Sequence, residues 1–218
     1  MNKLIPIVTV HSGFHHLKME EISKIMGVSR ATMYKYFSSK EELASGIVEI
    51  LVNYIEELEE PSMTDGDTSY GRAFQQIFEQ SLSSVGKMSE VFLTELETVY
   101  PELFDKLNQS FAKRNQKVAE FYAIGKEKKI FNPVNEKFLV LQDTLLLREI
   151  TNMKYLVQNQ TSMEQVLLDY YQLKKFQLFR SDKLSIVDDS IIIPIIRKIA
   201  EKNIRNMTYS NNPINAHY

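Results

Sequence analysis

The chain has 218 residues, 44% of them hydrophobic, with a net charge of −2 and no cysteine. That is ample apolar material for one large domain, or a small one joined to a larger one, and the lack of thiols excludes disulfides, thiolate metal ligands and a cysteine nucleophile. The opening MNKLIPIVTV is too short and too weakly basic for a secretory signal, and no apolar run approaches the ~20 residues of a membrane span, so a cytoplasmic protein with no membrane partner is expected.

Seven Gly and six Pro are spread along the chain, and apolar residues recur at three- and four-residue spacing while strict alternation is rare. This predicts an all-α protein. Charge is unevenly placed. Residues 17–40 carry five cations (Lys18, Lys24, Arg30, Lys35, Lys40) against two acids, whereas Glu41 to Gly71 contains no Lys or Arg and nine acidic residues. One end of the molecule is therefore suited to a polyanion.

The first strong element runs from Lys18 to Met26, with Met19, Ile22, Ile25 and Met26 on one stripe and Gly27 as its left-handed stop. Ser29 then caps a short second helix, Arg30 to Phe37, whose Met33 and Phe37 face inward. Ser38 and Ser39 each stand three residues before a Glu, the pattern of a capping box, and open a long helix with a Leu43, Ile47, Ile50, Leu51, Tyr54, Leu58 stripe reaching Glu60. Two short helices joined by a tight Gly-containing turn form a helix-turn-helix, whose second helix enters the major groove of duplex DNA. Arg30 and Thr32 would read bases, while Ser29, Tyr34, Lys35, Tyr36 and Lys40 supply phosphate ligands.

Beyond Pro61 an acidic PSMTDGDTSYG segment reads as a loop, followed by helices near Arg72–Val85, Ser89–Tyr100, Glu102–Lys128, Asn135–Val157 and Ser162–Phe179, and a last one kinked or started at Pro194. The expected division is a DNA-binding domain over 1–50, a larger helical domain over 51–206 and a disordered polar tail over 207–218. The stretch FLVLQDTLLLREI is apolar around almost its whole circumference, so a second subunit is its natural cover. A two-fold dimer would place two reading helices ~34 Å apart on a palindromic operator.

Alternative chemistries fare worse. His11 and His15 have a metal-like i, i+4 spacing, but Gly13 lies between them, and they read as surface histidines near a DNA backbone. Asp65-Gly66-Asp67 lacks the ligand pattern of a calcium loop. No glycine-rich phosphate cradle, nucleophile elbow or zinc-protease motif occurs, so neither an enzyme nor a resident cofactor or metal is expected.

The run GFHHLKMEEISKIMGVSRATMYKYFSSKEEL, from Gly13 towards Leu51, resembles the DNA-binding signature of the TetR (tetracycline-repressor-like) transcriptional regulators, and PELFDKLNQSFAKRNQKVAEFYAIGKEKKIF echoes that family's long helix ending in a Gly-containing turn. Two departures stand out: only twelve residues precede Gly13, Pro6 among them, and the usual Thr or Ser cap of the second helix is replaced by Leu17-Lys18. The resemblance implies a homodimer joined through helices 135–157 and 162–179, repression, and release by a small, often apolar effector. Aromatic candidates for its pocket are Phe74, Phe78, Phe92, Tyr100, Phe111, Phe121 and Tyr122; Glu95, Gln142, Asp143 and Arg148 are polar groups that could orient the ligand or pair at the dimer surface. The competing expectation is a helical ligand-binding or protein-interaction module with a weakened DNA-binding head.

Overall fold

The computed structural model describes residues 4–58 and 66–209. It is helical, and among the described residues the only extended pairing is an isolated bridge between Phe131 and Phe179. The chain divides into two compact units. The first contains the residues through Leu58, the segment Gly86–Arg114 and the last turn of the final helix; the second contains the residues leading to Val85 and Asn115–Arg205.

In the first unit, α1 (Leu4–Pro6) widens at once into a π-helical stretch, Ile7–Ser12, which stops at Gly13. Helical geometry therefore continues past Pro6 but changes from α to π there. Helices α2 (Met19–Met26) and α3 (Arg30–Tyr36) follow, then α4 (Lys40–Glu56), α6 (Glu90–Val99) and the first half of α7 (Pro101–Glu127). Their shared core contains Leu4, Val8, Phe14, Ile22, Met33, Leu43, Ile47, Leu51, Phe92 and Leu96. Of the α4 stripe, Leu43, Ile47 and Leu51 are buried and Tyr54 and Leu58 half-buried, but Ile50 is 39% exposed while Ile55 turns inward; the helix closes at Glu56 with Glu57 as its cap, and the expected end at Glu60 lies outside the described residues.

The second unit holds α5 (Asp67–Val85), the rest of α7, α8 (Glu136–Ile150), α9 (Met153–Gln158), α10 (Met163–Leu178), a 3₁₀ turn at Ser181–Ile186, and α11 (Asp189–Tyr209), whose last turn belongs to the first unit. Several boundaries move for local reasons. Helix α5 begins at Asp67, so the second half of the expected acidic loop is helical; the Ser69 hydroxyl donates to the Gly66 carbonyl and closes the first turn. The expected helix 135–157 is two helices. Thr151 ends the first, and the Asn152 side chain accepts the Lys154 N–H at 2.9 Å to start the second.

Helix α11 starts well before Pro194, because Asp188 Oδ1 accepts both the Ser190 N–H (3.0 Å) and its hydroxyl (2.7 Å) and so caps it. Helix α11 also continues to Tyr209, into the expected tail, of which residues 210–218 lie outside the described residues. Gly125 stays helical. The left-handed position that ends α7 is taken by Lys129, and Gly125 is small because the Phe131 ring packs directly on it.

Candidate nucleic-acid interface

The reading head is built from three caps. Gly27 adopts φ 69°, ψ 32°, and its αL turn lets the Val28 N–H reach back to the Ser23 carbonyl at 3.0 Å, ending α2 cleanly. The Ser29 hydroxyl then accepts the Thr32 N–H at 3.0 Å and starts α3. Ser39 accepts the Glu42 N–H at 3.2 Å while Glu42 accepts the Ser38 N–H at 2.6 Å, so one of the two serine–glutamate pairs seen in the sequence forms the cap of α4. Helix α2 has no capping hydroxyl, yet Glu21 accepts the Lys18 N–H at 2.7 Å and supplies half of a capping box from inside the helix.

Only Met33 of α3 is buried, which leaves Arg30, Thr32, Tyr34, Lys35 and Tyr36 exposed, with Ser29 beside them. Tyr36 is 70% exposed, so its ring and hydroxyl are both open to a partner. Arg30 lies 3.9 Å from Glu20, and both side chains are more than half exposed, so this weak pair is easily exchanged for a base edge or phosphate. The Thr32 and Ser29 hydroxyls are 2.8 Å apart. Lys40 is partly buried and donates to the Phe14 and His15 carbonyls at 3.1 and 3.3 Å, two of the three bonds its ammonium can make. His15 and His16 are exposed on the same turn, their rings edge to face at 5.1 Å.

Residues 8–47, spanning this head, match the family model of the bacterial regulatory proteins of the tetR family. The chain carries a tetR-family DNA-binding domain. No curated protein matches it. Among solved structures, a transcriptional regulator from Saccharomonospora viridis in complex with choline aligns at a TM-score of 0.63 and 14% identity, covering 82% of this chain and 95% of that one. The ketosteroid transcriptional regulator KstR2 of Mycobacterium tuberculosis aligns at 0.57 and 12%, covering 78% and 88%, and the TetR family regulator PfmR of Thermus thermophilus at 0.54 and 16%, covering 75% and 90%. At such identities the likeness is one of fold: a tetR-type helix-turn-helix domain followed by a larger helical domain.

The residues proposed for an effector pocket separate into three groups. Phe92 and Tyr100 belong to the first unit, where both rings pack on Phe14 with centroids at 6.0 Å. Phe111 packs against that same core. Phe74, Phe78, Phe121 and Tyr122 are buried in the second unit within one chain of rings: Phe74 stacks on Tyr171 at 5.5 Å, Phe78 meets Tyr171 at 5.3 Å, and Phe121 and Tyr122 both meet Phe131. Gln142 is half-buried and Arg148 exposed on α8. A cleft of about 580 Å³ opens elsewhere in this unit, between α9, the start of α10 and α11, with Met153, Leu156, Val157, Met163 and Ile204 in its wall.

Polar groups that the sequence left ambiguous have defined partners. Asp143 holds Lys174 and Tyr170 inside one chain. Glu95 accepts the Phe14 N–H. Asp189, missed in the sequence, accepts from Lys175, Tyr171 and Gln172. Burial tends to raise its pKa, but these three hydrogen bonds and the Lys175 charge outweigh burial and hold it below the ordinary aspartate value. The signal was present: Tyr170, Tyr171, Lys174, Lys175 and Leu178 share the buried face of α10 at helical spacing, and a buried lysine demands an acid. Burial lowers the Lys174 pKa, and the Asp143 charge and hydrogen bond partly restore it.

Proposed function

We propose that this tetR-family chain is a homodimeric transcriptional repressor that binds a palindromic operator and is released by a small-molecule effector. The observation that carries the reading is the exposed row of α3, where Arg30, Thr32, Lys35 and Tyr36 stand clear of the core on a helix fixed by Ser29 and Met33. Arg30 and Thr32 read bases; Ser29, Tyr34, Lys35, Tyr36 and the remaining donor of Lys40 hold phosphates.

Dimerisation rests on the second unit. Phe138, Leu141 and Leu145 of α8 are 67%, 48% and 62% exposed, and Leu173 and Phe176 of α10 are also bare. Such an apolar area on two neighbouring helices is best covered by its own copy. For the effector, the cleft bounded by α9, α10 and α11 falls within the volume range of small-molecule sites and has a mainly apolar wall, which favours an apolar ligand. A role on duplex DNA fits a cytoplasmic protein.

The rival reading, a helical module with a weakened head, draws on the irregular first helix, which turns π-helical at Ile7. Selection of bound duplexes from a random pool separates the two. The repressor reading expects an inverted repeat whose half-sites are about one helical turn apart, ~10 base pairs. Recovery of no enriched sequence at low salt would leave the module.

A further inference from the structure

The turn at Gly13 and Phe14 is gripped from two sides by charged residues distant in sequence. Glu95 on α6 accepts the Phe14 N–H at 2.5 Å, and Lys40 at the start of α4 donates to the Phe14 carbonyl at 3.1 Å and to the next one, His15, at 3.3 Å. The same α6 segment holds this stretch of chain twice more. The Ser89 N–H donates to the Thr9 carbonyl at 2.6 Å, and the Phe14 ring is fully buried against Phe92 and Tyr100. All these residues lie within the first unit.

Gly13 makes the approach possible. Its φ of 65° and ψ of −166° place it in a region essentially reserved for glycine, and a Cβ there would overlap the Glu95 carboxylate. The stretch that leads into α2 turns π-helical at Ile7, a geometry seldom sustained without outside support, so the hold from α6 adds to what its own backbone provides. A charge-assisted bond to a backbone N–H is stronger and more directional than a neutral one, and here it is made from a different helix.

We propose that Glu95 is a positioning residue for DNA reading. Its carboxylate fixes the Gly13–His16 turn, the turn's carbonyls seat the Lys40 ammonium beside α3, and the reading helix is thereby presented in register with the phosphates. Helix α6 thus holds this turn of the head directly. This inference rests on the repressor reading, and Glu95 itself touches no DNA.

The test compares the full-length wild type with Glu95→Gln, which keeps a side-chain oxygen acceptor, and Glu95→Leu, which does not. Without DNA, Glu95→Leu should speed amide hydrogen exchange at Phe14 by roughly tenfold or more while the amides of α2 keep their rates. On the selected operator it should weaken binding roughly tenfold, with a salt slope lowered by no more than the ~1 per subunit that Lys40 contributes, and random duplex should lose less than the operator. Glu95→Gln should recover most of both effects. Unchanged Phe14 exchange, operator affinity within twofold of wild type, or a Gln variant as impaired as the Leu variant would each overturn the proposal. If the wild type itself selects no inverted repeat, the repressor reading and with it the positioning role fail, while the clamp is still decided by the Phe14 exchange alone.

Discussion

Lys174 Nζ lies 2.8 Å from Asp143 Oδ1, and the lysine side chain is only 1% exposed. The ammonium also donates to the Leu139 carbonyl at 2.6 Å, and Tyr170 donates its hydroxyl to the same Asp143 oxygen at 2.6 Å, so helices α8 and α10 meet across a buried polar cluster. Such a pair is worth little against a well-packed apolar substitute, but breaking it from one side is costly. Asp143→Ala strands a buried cation and should cost ~3–5 kcal/mol in urea denaturation. Lys174→Met should cost less, since Asp143 keeps Tyr170 and is 14% exposed. Combining Lys174→Met with Asp143→Leu should recover most of the loss. A cost below about 1 kcal/mol for Asp143→Ala would mean that the cation reaches water in solution.

Asp189 gives the second unit an acid limit. Its pKa is held below that of the unfolded chain by Lys175, Tyr171 and Gln172 against the opposing pull of burial, so the folded state binds the carboxylate more favourably than the acid. The stabilisation is complete above the unfolded value of 3.8 and is lost as pH falls through the lower folded value. At pH 7, Asp189→Asn should be less stable by ~1–3 kcal/mol. The gap between wild type and variant should stay constant from neutral pH to about 5 and shrink below about 4. A gap that persists unchanged to about pH 2.5 would show that the charge of Asp189 is not what the cluster uses.

For the reading helix, Arg30→Ala should cost ~1–3 kcal/mol of operator affinity and relax preference at one position of each half-site. Uniform loss on all sequences would make Arg30 a phosphate contact. Tyr36→Ala should weaken operator and random duplex alike. Lys40→Ala should lower the salt slope by ~1 per subunit, and it should also loosen the Phe14 turn it seats. An unchanged slope would confine Lys40 to its bonds with the Phe14 and His15 carbonyls.

The apolar face of α8 offers a test of assembly that spares the fold. Leu145 is 62% exposed within the chain, so Leu145→Glu disturbs no intrachain packing. At a subunit interface the same carboxylate would be desolvated without a partner. Sedimentation should therefore show a folded monomer, with the helical signal of wild type. A variant that remains fully dimeric would move the interface off α8.

The helix-turn-helix was readable because its signals are local. Gly27, Ser29 and Ser39 act on backbone groups within a few residues, and Met33 with the half-buried Phe37 anchors α3, so pattern and structure coincide. What was not readable depends on pairs distant in the chain. Nothing near Phe92 or Tyr100 reveals that both pack on Phe14 rather than on Phe74, and nothing near Glu95 reveals its backbone partner 81 residues away. The break in the helix after Ile150 was a local signal passed over: Thr151-Asn152 is a stop followed by a cap, hidden between two strongly apolar runs. Gly125 is the converse case, a glycine taken for a turn whose purpose is tertiary.

Gly125 can decide whether the aromatic cluster of the second unit is core or ligand box. A Cβ on Gly125 would overlap the Phe131 ring, which packs edge-to-face on Tyr70, Phe121, Tyr122 and Phe179. On helix propensity alone, Gly→Ala in α7 would stabilise by up to ~1 kcal/mol. If the rings are close-packed core, Phe131 cannot step aside and overpacking costs ~1–3 kcal/mol, so Gly125→Ala should be net destabilising, with a lower urea midpoint and an unchanged slope. If the rings line a site that opens for a ligand, Phe131 can swing into the free space and the propensity gain should prevail. Phe131 is 2% exposed and Phe179 1%, so the loss of stability is the expected result. A variant more stable than wild type would support Phe74, Phe78, Phe121 and Tyr122 as effector contacts.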